Sequence, residues 1–190
     1  MIHLGLLGKN ISHSMSESIY RQHLTDLTYH LFDFDGSEDI PSLEHFLGIV
    51  QRLAITAPHK THSLKDATLD EKTSELGPIN CINRNKVGIN TDYLALTKIL
   101  PRYSEYLPII LGNGSMAAIT KHYFERMNLS YQVIYRSKHG PFENYDLDEV
   151  YKTERPVLVI NACGRQFKFS GKPPTNYQFL DYNYELPFKH

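Results

Sequence analysis

An α/β fold in two successive halves is what this sequence predicts, and three observations predict it. Short apolar runs over 2–8, 53–56 and 109–111 alternate with segments of helical periodicity. Two stretches, Ile55-Thr56-Ala57-Pro58-His59-Lys60 and Gly88-Ile89-Asn90-Thr91-Asp92, sit where an apolar run stops and a polar turn begins. A third, Ile109-Ile110-Leu111-Gly112-Asn113-Gly114-Ser115-Met116-Ala117-Ala118, reads as a strand, a glycine turn and a helix, the form in which a dinucleotide-binding unit begins.

In chain order, Ile2 to Gly8 is a short apolar strand ending at glycine. Residues 10–18 are small and polar, and Ser18 is placed to cap a helix over 19–27. Residues 28–34 alternate as a second strand closed by Asp35-Gly36, and Leu43, Phe46, Leu47 and Val50 have helical spacing within 42–51. A buried strand over 53–56 stops at Pro58. Residues 63–76 are polar and helical in character, and 79–83 with 86–90 form two short strands around an Arg84-Asn85 turn. Residues 92–106 read as a connecting helix with Leu94, Leu96, Ile99 and Leu100 on its inner face. Beyond Pro108, strand 108–111, helix 115–127 and strands 131–136, 156–162 and 177–182 predict a parallel sheet, because the connections are helical or long. Residues 141–155 are short and polar, so one crossover is abbreviated.

Composition narrows the function classes. At 190 residues the chain is long enough for a substantial core, and 41% hydrophobic with 22% charged residues is ordinary for a globular protein. A formal charge of -1 gives no electrostatic case for nucleic acid or an anionic membrane. No apolar run approaches the roughly 20 residues that cross a bilayer, and the opening Met1-Ile2-His3-Leu4-Gly5 lacks a signal-peptide layout, so a cytoplasmic location is expected. Two cysteines, Cys81 and Cys163, lie far apart and read as reduced, packed thiols. His59 and His62 stand three apart without a Cys, Asp or Glu nearby to complete a metal site. Asp33-Phe34-Asp35-Gly36 lacks the later acid of a calcium loop and reads as a strand-end turn. His13 beside Ser14 has no orienting acid, which argues against a hydrolase.

The remaining polar positions carry the chemistry. Lys60 and Asp92, each following a strand, are placed to share a proton, which suits an alcohol or ketone substrate; a surface ion pair is the ordinary alternative. Gly112 and Gly114 let backbone approach a pyrophosphate resting on the helix that begins near Ser115. At the end of the next strand, Arg136 is placed to clamp a 2′-phosphate and Ser137 to donate to it. No acidic residue stands there, which favours NADP over NAD.

With these stretches placed, the sequence resembles the shikimate dehydrogenase family in order along nearly its whole length. Gly5-Leu6-Leu7-Gly8-Lys9-Asn10-Ile11-Ser12-His13-Ser14-Met15-Ser16 is similar to that family's opening strand and serine-bearing substrate loop. Ile55 to Lys60 is similar to its catalytic-lysine motif, and Gly77-Pro78-Ile79-Asn80 with Asn90-Thr91-Asp92 to its asparagine and aspartate motifs. Leu111-Gly112-Asn113-Gly114-Ser115 stands at its nucleotide loop. The resemblance implies an N-terminal substrate-binding α/β domain over 1–92 and a shortened Rossmann-like dinucleotide-binding domain over 93–190. It implies reversible, NADP-dependent reduction of 3-dehydroshikimate to shikimate, a step towards chorismate and the aromatic amino acids. Ser14 and Ser16 would bind the substrate carboxylate, Thr56, Asn80 and Asp92 the ring hydroxyls, and Lys60 would transfer the proton. Tyr184 matches a tyrosine near the nicotinamide in one of two alignments.

The pattern also departs from the family. Ala54 replaces an asparagine, Cys81 a threonine, and no residue matches the glutamine of the closing helix expected after Phe188. A second copy of the chain could cover surface which that helix would otherwise bury. Quinate or an aminated analogue is an alternative substrate, and a homologue that binds a shikimate-like ligand without turnover is the alternative function.

Overall fold

The structure, a computed structural model, describes residues 1–183 apart from 57, 61–66, 70, 77, 78 and 165. It divides into two compact units, Met1–Thr91 and Asp92–His190.

The first unit is built on a mixed six-stranded sheet in the order β2-β1-β3-β5-β6-β4. Its strands are β1 (Ile2–Gly8), β2 (Leu27–Asp33), β3 (Arg52–Ile55), β4 (Thr68–Leu69), β5 (Cys81–Asn83) and β6 (Val87–Ile89). β1 runs parallel to β2 and β3, whereas β5 is antiparallel to both β3 and β6. The C-terminal ends of β1, β3 and β6 and the start of β5 therefore share one edge. Helix α2 (Leu43–Ile49) is capped by Ser42, whose side chain accepts from the His45 N–H. Phe46 and Val50 pack with Leu7, Leu53, Ile55, Ile79 and Ile82 into one core. Each such side chain stabilises the unit by roughly 1.5–3 kcal/mol relative to exposure.

Two elements differ from expectation here. Helix α1 spans Ser16–Arg21 and starts before Ser18, whose Oγ donates back to the Met15 carbonyl at 2.8 Å and caps nothing. Glu17 lies inside the first turn and pairs with Arg21 one turn on, while Leu27 is taken by β2 as a buried partner of Ile2. Among the described residues of 63–76, Thr68–Leu69 is extended and pairs parallel with Val87 and Gly88, and helix is confined to α3 (Glu71–Ser74). The exposed edge of β6 supplies that pairing, and a sequence window centred on residues 63–76 does not contain it.

The second unit carries a parallel four-stranded sheet in the order β10-β9-β7-β8: β7 (Leu107–Leu111), β8 (Gln132–Ile134), β9 (Val157–Asn161) and β10 (Tyr177–Asp181). β9 is buried throughout and β7 nearly so, the pattern of parallel strands covered on both faces. Helix α4 (Thr91–Ile99) gives way to a 3-10 turn at Leu100–Tyr103 where a continuous helix was expected. Pro101 lacks the N–H that an α-helix would use there. Helix α5 (Ser115–Arg126) connects β7 to β8; the path from β8 to β9 contains only the short turns α6 (Arg136–His139) and α7 (Leu147–Val150). The abbreviated crossover is therefore present. Because the chain leaves β7 towards β8 and later returns on the other side as β9, a topological switch point lies at the carboxyl ends of β7 and β9.

Candidate functional site

In the first unit several of the polar residues singled out from the sequence adjoin strands that begin or end at the shared sheet edge. After β1 the chain turns at Asn10, which has φ 53°, and Asp33 at the end of β2 holds that turn. The Asp33 carboxylate accepts from the N–H of Asn10 at 2.7 Å and of Ile11 at 3.1 Å. Ser14 follows, its N–H on the Ile11 carbonyl. The Ser14 and Ser16 hydroxyls lie 3.1 Å apart, Ser14 Oγ also accepting the Ser16 N–H, so both point into one place. Tyr29 on β2 is a neighbour of Ser16; burial raises its hydroxyl pKa and the Ser16 hydroxyl offsets part of that rise. Past β3, Thr56 donates its N–H to Leu7 and accepts from the N–H of His59. The buried His59 ring reaches the Phe34 carbonyl through Nε2 at 2.9 Å, which gives it a structural partner. No group of three or more potential metal ligands occurs among the described residues.

Asn80 enters β5 with its backbone bonded on both sides, to Ile55 and Ile89. Its Oδ1 accepts from both the N–H and the hydroxyl of Thr91, at 2.7 and 3.0 Å. That fixes the orientation of the amide and leaves its NH2 end as the one that can donate to a ligand hydroxyl. Lys60 lies four residues beyond Thr56, in the first unit, while Asp92 is the first residue of the second. Tyr184, His62, and Ala57, Gly77 and Pro78 of the matched motifs lie outside the described residues.

In the second unit a cavity of about 720 Å³ opens at the switch point, lined by Gly112, Asn113, Gly114, Arg136 and Ser137 among others. These come from the ends of β7 and β8, with Ala162, Cys163 and Gly164 contributed from the end of β9. Gly112 has φ 106°, and a Cβ there would come within 3.0 Å of both the Ala162 carbonyl oxygen and the Cys163 sulfur. Gly114 has ordinary extended backbone and open space around it, and α5 begins at the next residue, Ser115. Ser115, the first residue of α5, follows the lining residue Gly114, so the N-terminus of that helix adjoins the cavity. Asn113 is held by Lys121, whose Nζ donates to its Oδ1 at 2.9 Å.

The walls contain residues that sequence reasoning did not identify. Phe142 and Phe167 both line the cavity with ring centres 5.0 Å apart, and Phe142 is itself buried in the core of the second unit. Burial pushes the Cys163 thiol up to about 11. Arg136 begins the short turn α6 instead of ending β8, and its guanidinium is ion-paired with Glu143. A hydrogen bond from Arg136 is the main cause holding the Glu143 carboxyl below its ordinary value. No acid was expected at this position; the loop after α6 carries one back to it. Asp33, Thr91 and Glu143 are among the positioning residues missed. Only the Asp-x-Asp-Gly turn after β2 offered any signal for the first.

No family model matches the chain. Curated relatives do: a shikimate dehydrogenase (NADP(+)) of Bacillus licheniformis is 34% identical over 128 residues, covering 60% of this chain and 46% of the relative. One of Saccharolobus solfataricus is 29% identical over 179 residues, covering 83% and 66%. The chain spans about half the length of the curated relatives it matches, at 46% and 54% for two of them. Among solved structures, shikimate dehydrogenase 1 from Peptoclostridium difficile superposes with a TM-score of 0.68 at 23% identity, covering 97% of this chain and 78% of that one. A chorismate mutase/shikimate 5-dehydrogenase fusion protein from Clostridium acetobutylicum gives 0.71 at 22%, with the same coverage. The Thermus thermophilus shikimate 5-dehydrogenase in complex with NADP(H) and shikimate gives 0.61 at 17%, covering 86% and 69%. The fold is that of these dehydrogenases, and the sequence is related to theirs.

Proposed function

We propose that this relative of the shikimate dehydrogenases catalyses the reversible, NADP-dependent reduction of 3-dehydroshikimate to shikimate, or of a closely similar cyclic hydroxy acid. The observation that supports this most is the switch-point cavity, where a glycine turn, a helix start, Arg136 and Ser137 converge. Those groups fit a 2′-phosphorylated dinucleotide: Gly112 and Gly114 with the start of α5 for the pyrophosphate, Arg136 and Ser137 for the 2′-phosphate.

When bound, that cofactor would supply the hydride to the carbonyl carbon. The protein must then hold the substrate and provide the proton. The Ser14 and Ser16 hydroxyls can grip a carboxylate as neutral donors. The Asn80 NH2 end and the Thr56 hydroxyl suit ring hydroxyls at the same sheet edge. In this reading Lys60 faces the carbonyl oxygen as an ammonium, stabilises developing alkoxide charge and transfers its proton from Nζ to that oxygen. The same reading assigns Asp92 to a ring hydroxyl of the substrate. In the oxidation direction the neutral amine takes the hydroxyl proton back.

The test follows NADPH absorbance after addition of 3-dehydroshikimate. Consumption that stops in Lys60→Ala supports the proposal. No consumption, together with a shikimate-induced rise in melting temperature, supports binding without turnover. Neither response removes both readings.

A further inference from the structure

The ion pair at the mouth of the cofactor cavity bears on which nucleotide the site accepts. Arg136 is the one arginine among the lining residues described, and its guanidinium NH2 donates to the Glu143 carboxylate. The acid is fixed from behind. Its backbone carbonyl accepts from the Ser170 N–H at 2.7 Å and from the Ser170 hydroxyl at 3.3 Å, so the loop cannot swing away without breaking both. Glu143 is also less exposed than Arg136, with side-chain exposures of 27% and 68%. The arginine is therefore the more exposed member, and the acid is the one whose backbone is anchored.

An incoming 2′-phosphate brings most of two negative charges to a guanidinium that a carboxylate already engages. It must draw the guanidinium off Glu143 or share it, and in either case it lies close to a fixed like charge. A ribose lacking that phosphate meets no such repulsion, and its hydroxyls can donate to the carboxylate. Resting on the cofactor reading above, we infer that Glu143 is a specificity-determining residue: by holding Arg136 it reduces the preference of this cavity for 2′-phosphorylated over unphosphorylated adenine nucleotides.

Calorimetric titration with adenosine 2′,5′-bisphosphate and with adenosine 5′-monophosphate separates the terms. In Glu143→Gln the bisphosphate should bind about fivefold more tightly at low salt, the scale of one partly exposed charge pair, with the monophosphate changed by less than about twofold. Added salt should shrink that gain. In Arg136→Gln the preference for the bisphosphate should fall, and adding Glu143→Gln to it should recover only part of the gain. Glu143→Ala, which removes the acceptor altogether, should raise the bisphosphate-to-monophosphate preference at least as far as Glu143→Gln does, and thermal melting verifies that each variant is folded. If the wild type binds both nucleotides and neither Glu143 variant alters their ratio, this inference is wrong and the cavity reading stands. If the wild type binds neither, the cavity reading fails and the inference falls with it.

Discussion

The two glycines of the turn after β7 should fail in different ways when given a methyl group. At Gly112 the backbone has φ 106°, outside the range that side chains adopt with ease. Holding a non-glycine residue in such a region costs about 1–3 kcal/mol. A Cβ would also lie 3.0 Å from the Ala162 carbonyl oxygen and 3.0 Å from the Cys163 sulfur, both anchored at the end of β9. Overpacking of that kind adds about 1–3 kcal/mol. Gly112→Ala should therefore destabilise the second unit by about 2–6 kcal/mol, a large share of the roughly 5–15 kcal/mol that separates folded from unfolded domains. At about 4–8 °C per kcal/mol for a domain of 60–100 residues, the size of the second unit, its melting should fall by at least about 8 °C. Gly114 has φ -82° and ψ -167°, with nothing within 4 Å of a built Cβ. Gly114→Ala should change stability by less than about 1 kcal/mol. Where backbone must approach a pyrophosphate, the same methyl should weaken NADP binding by about tenfold. Urea unfolding followed by circular dichroism and NADP titration read the two effects separately. Equal urea midpoints for Gly112→Ala and wild type, or equal losses of stability in both variants, would refute the division of roles.

Three other perturbations discriminate in the same manner. Lys60→Ala should lower turnover by about a hundredfold or more while nucleotide binding is kept; a change confined to KM would count against proton transfer. Asp33→Ala removes the carboxylate that accepts from Asn10 and Ile11, so the serine loop loosens. KM for the hydroxy acid should then rise about threefold to tenfold with kcat less affected, and Asp33→Asn, which keeps one acceptor, should fall between. An unchanged KM in Asp33→Ala would dismiss this anchoring role. Burial pushes the Cys163 thiol from 9.0 up to about 11 and the Tyr182 hydroxyl from 10.0 to about 12. Both neutral forms are thus favoured by folding, their contribution complete below the ordinary values and lost as pH rises through the shifted ones. Urea midpoints should be level below about pH 9 and decline between about pH 9 and 12; a flat profile over that range contradicts the burial of both groups.

What could be read from the sequence depended on how locally each feature is specified. The run from Ile109 to Ala118 was legible because an apolar strand, two glycines and a helix start need no distant partner to be recognised. The β5–β6 hairpin was legible for the same reason. Its turn is held by Asn83, whose Oδ1 accepts from the N–H groups of Asn85 and Val87. By contrast Thr68–Leu69 looked helical because its polarity said nothing of β6, the partner that makes it a strand. Ser18 looked like a cap because any serine before an apolar residue does, whereas the Glu17–Arg21 pair moves the helix start forward.

The same distinction runs through the candidate sites. Residues that would touch a ligand stand at strand ends, where hydrophobic alternation stops, so Ser14, Thr56, Asn80, Gly112 and Arg136 stood out one by one. Residues that aim them do not announce themselves. Thr91 fixes the Asn80 amide from 11 positions away, and Asp33 secures the serine loop from 23 and 22 positions away. Glu143 reaches Arg136 across a loop whose own register depends on Ser170. Each supporting contact is a charge or amide meeting a group from another segment, so its cause is the fold and not the local pattern. A substitution at these supports should therefore shift affinity or selectivity while leaving the transferred proton alone, whereas a substitution at Lys60 should do the reverse.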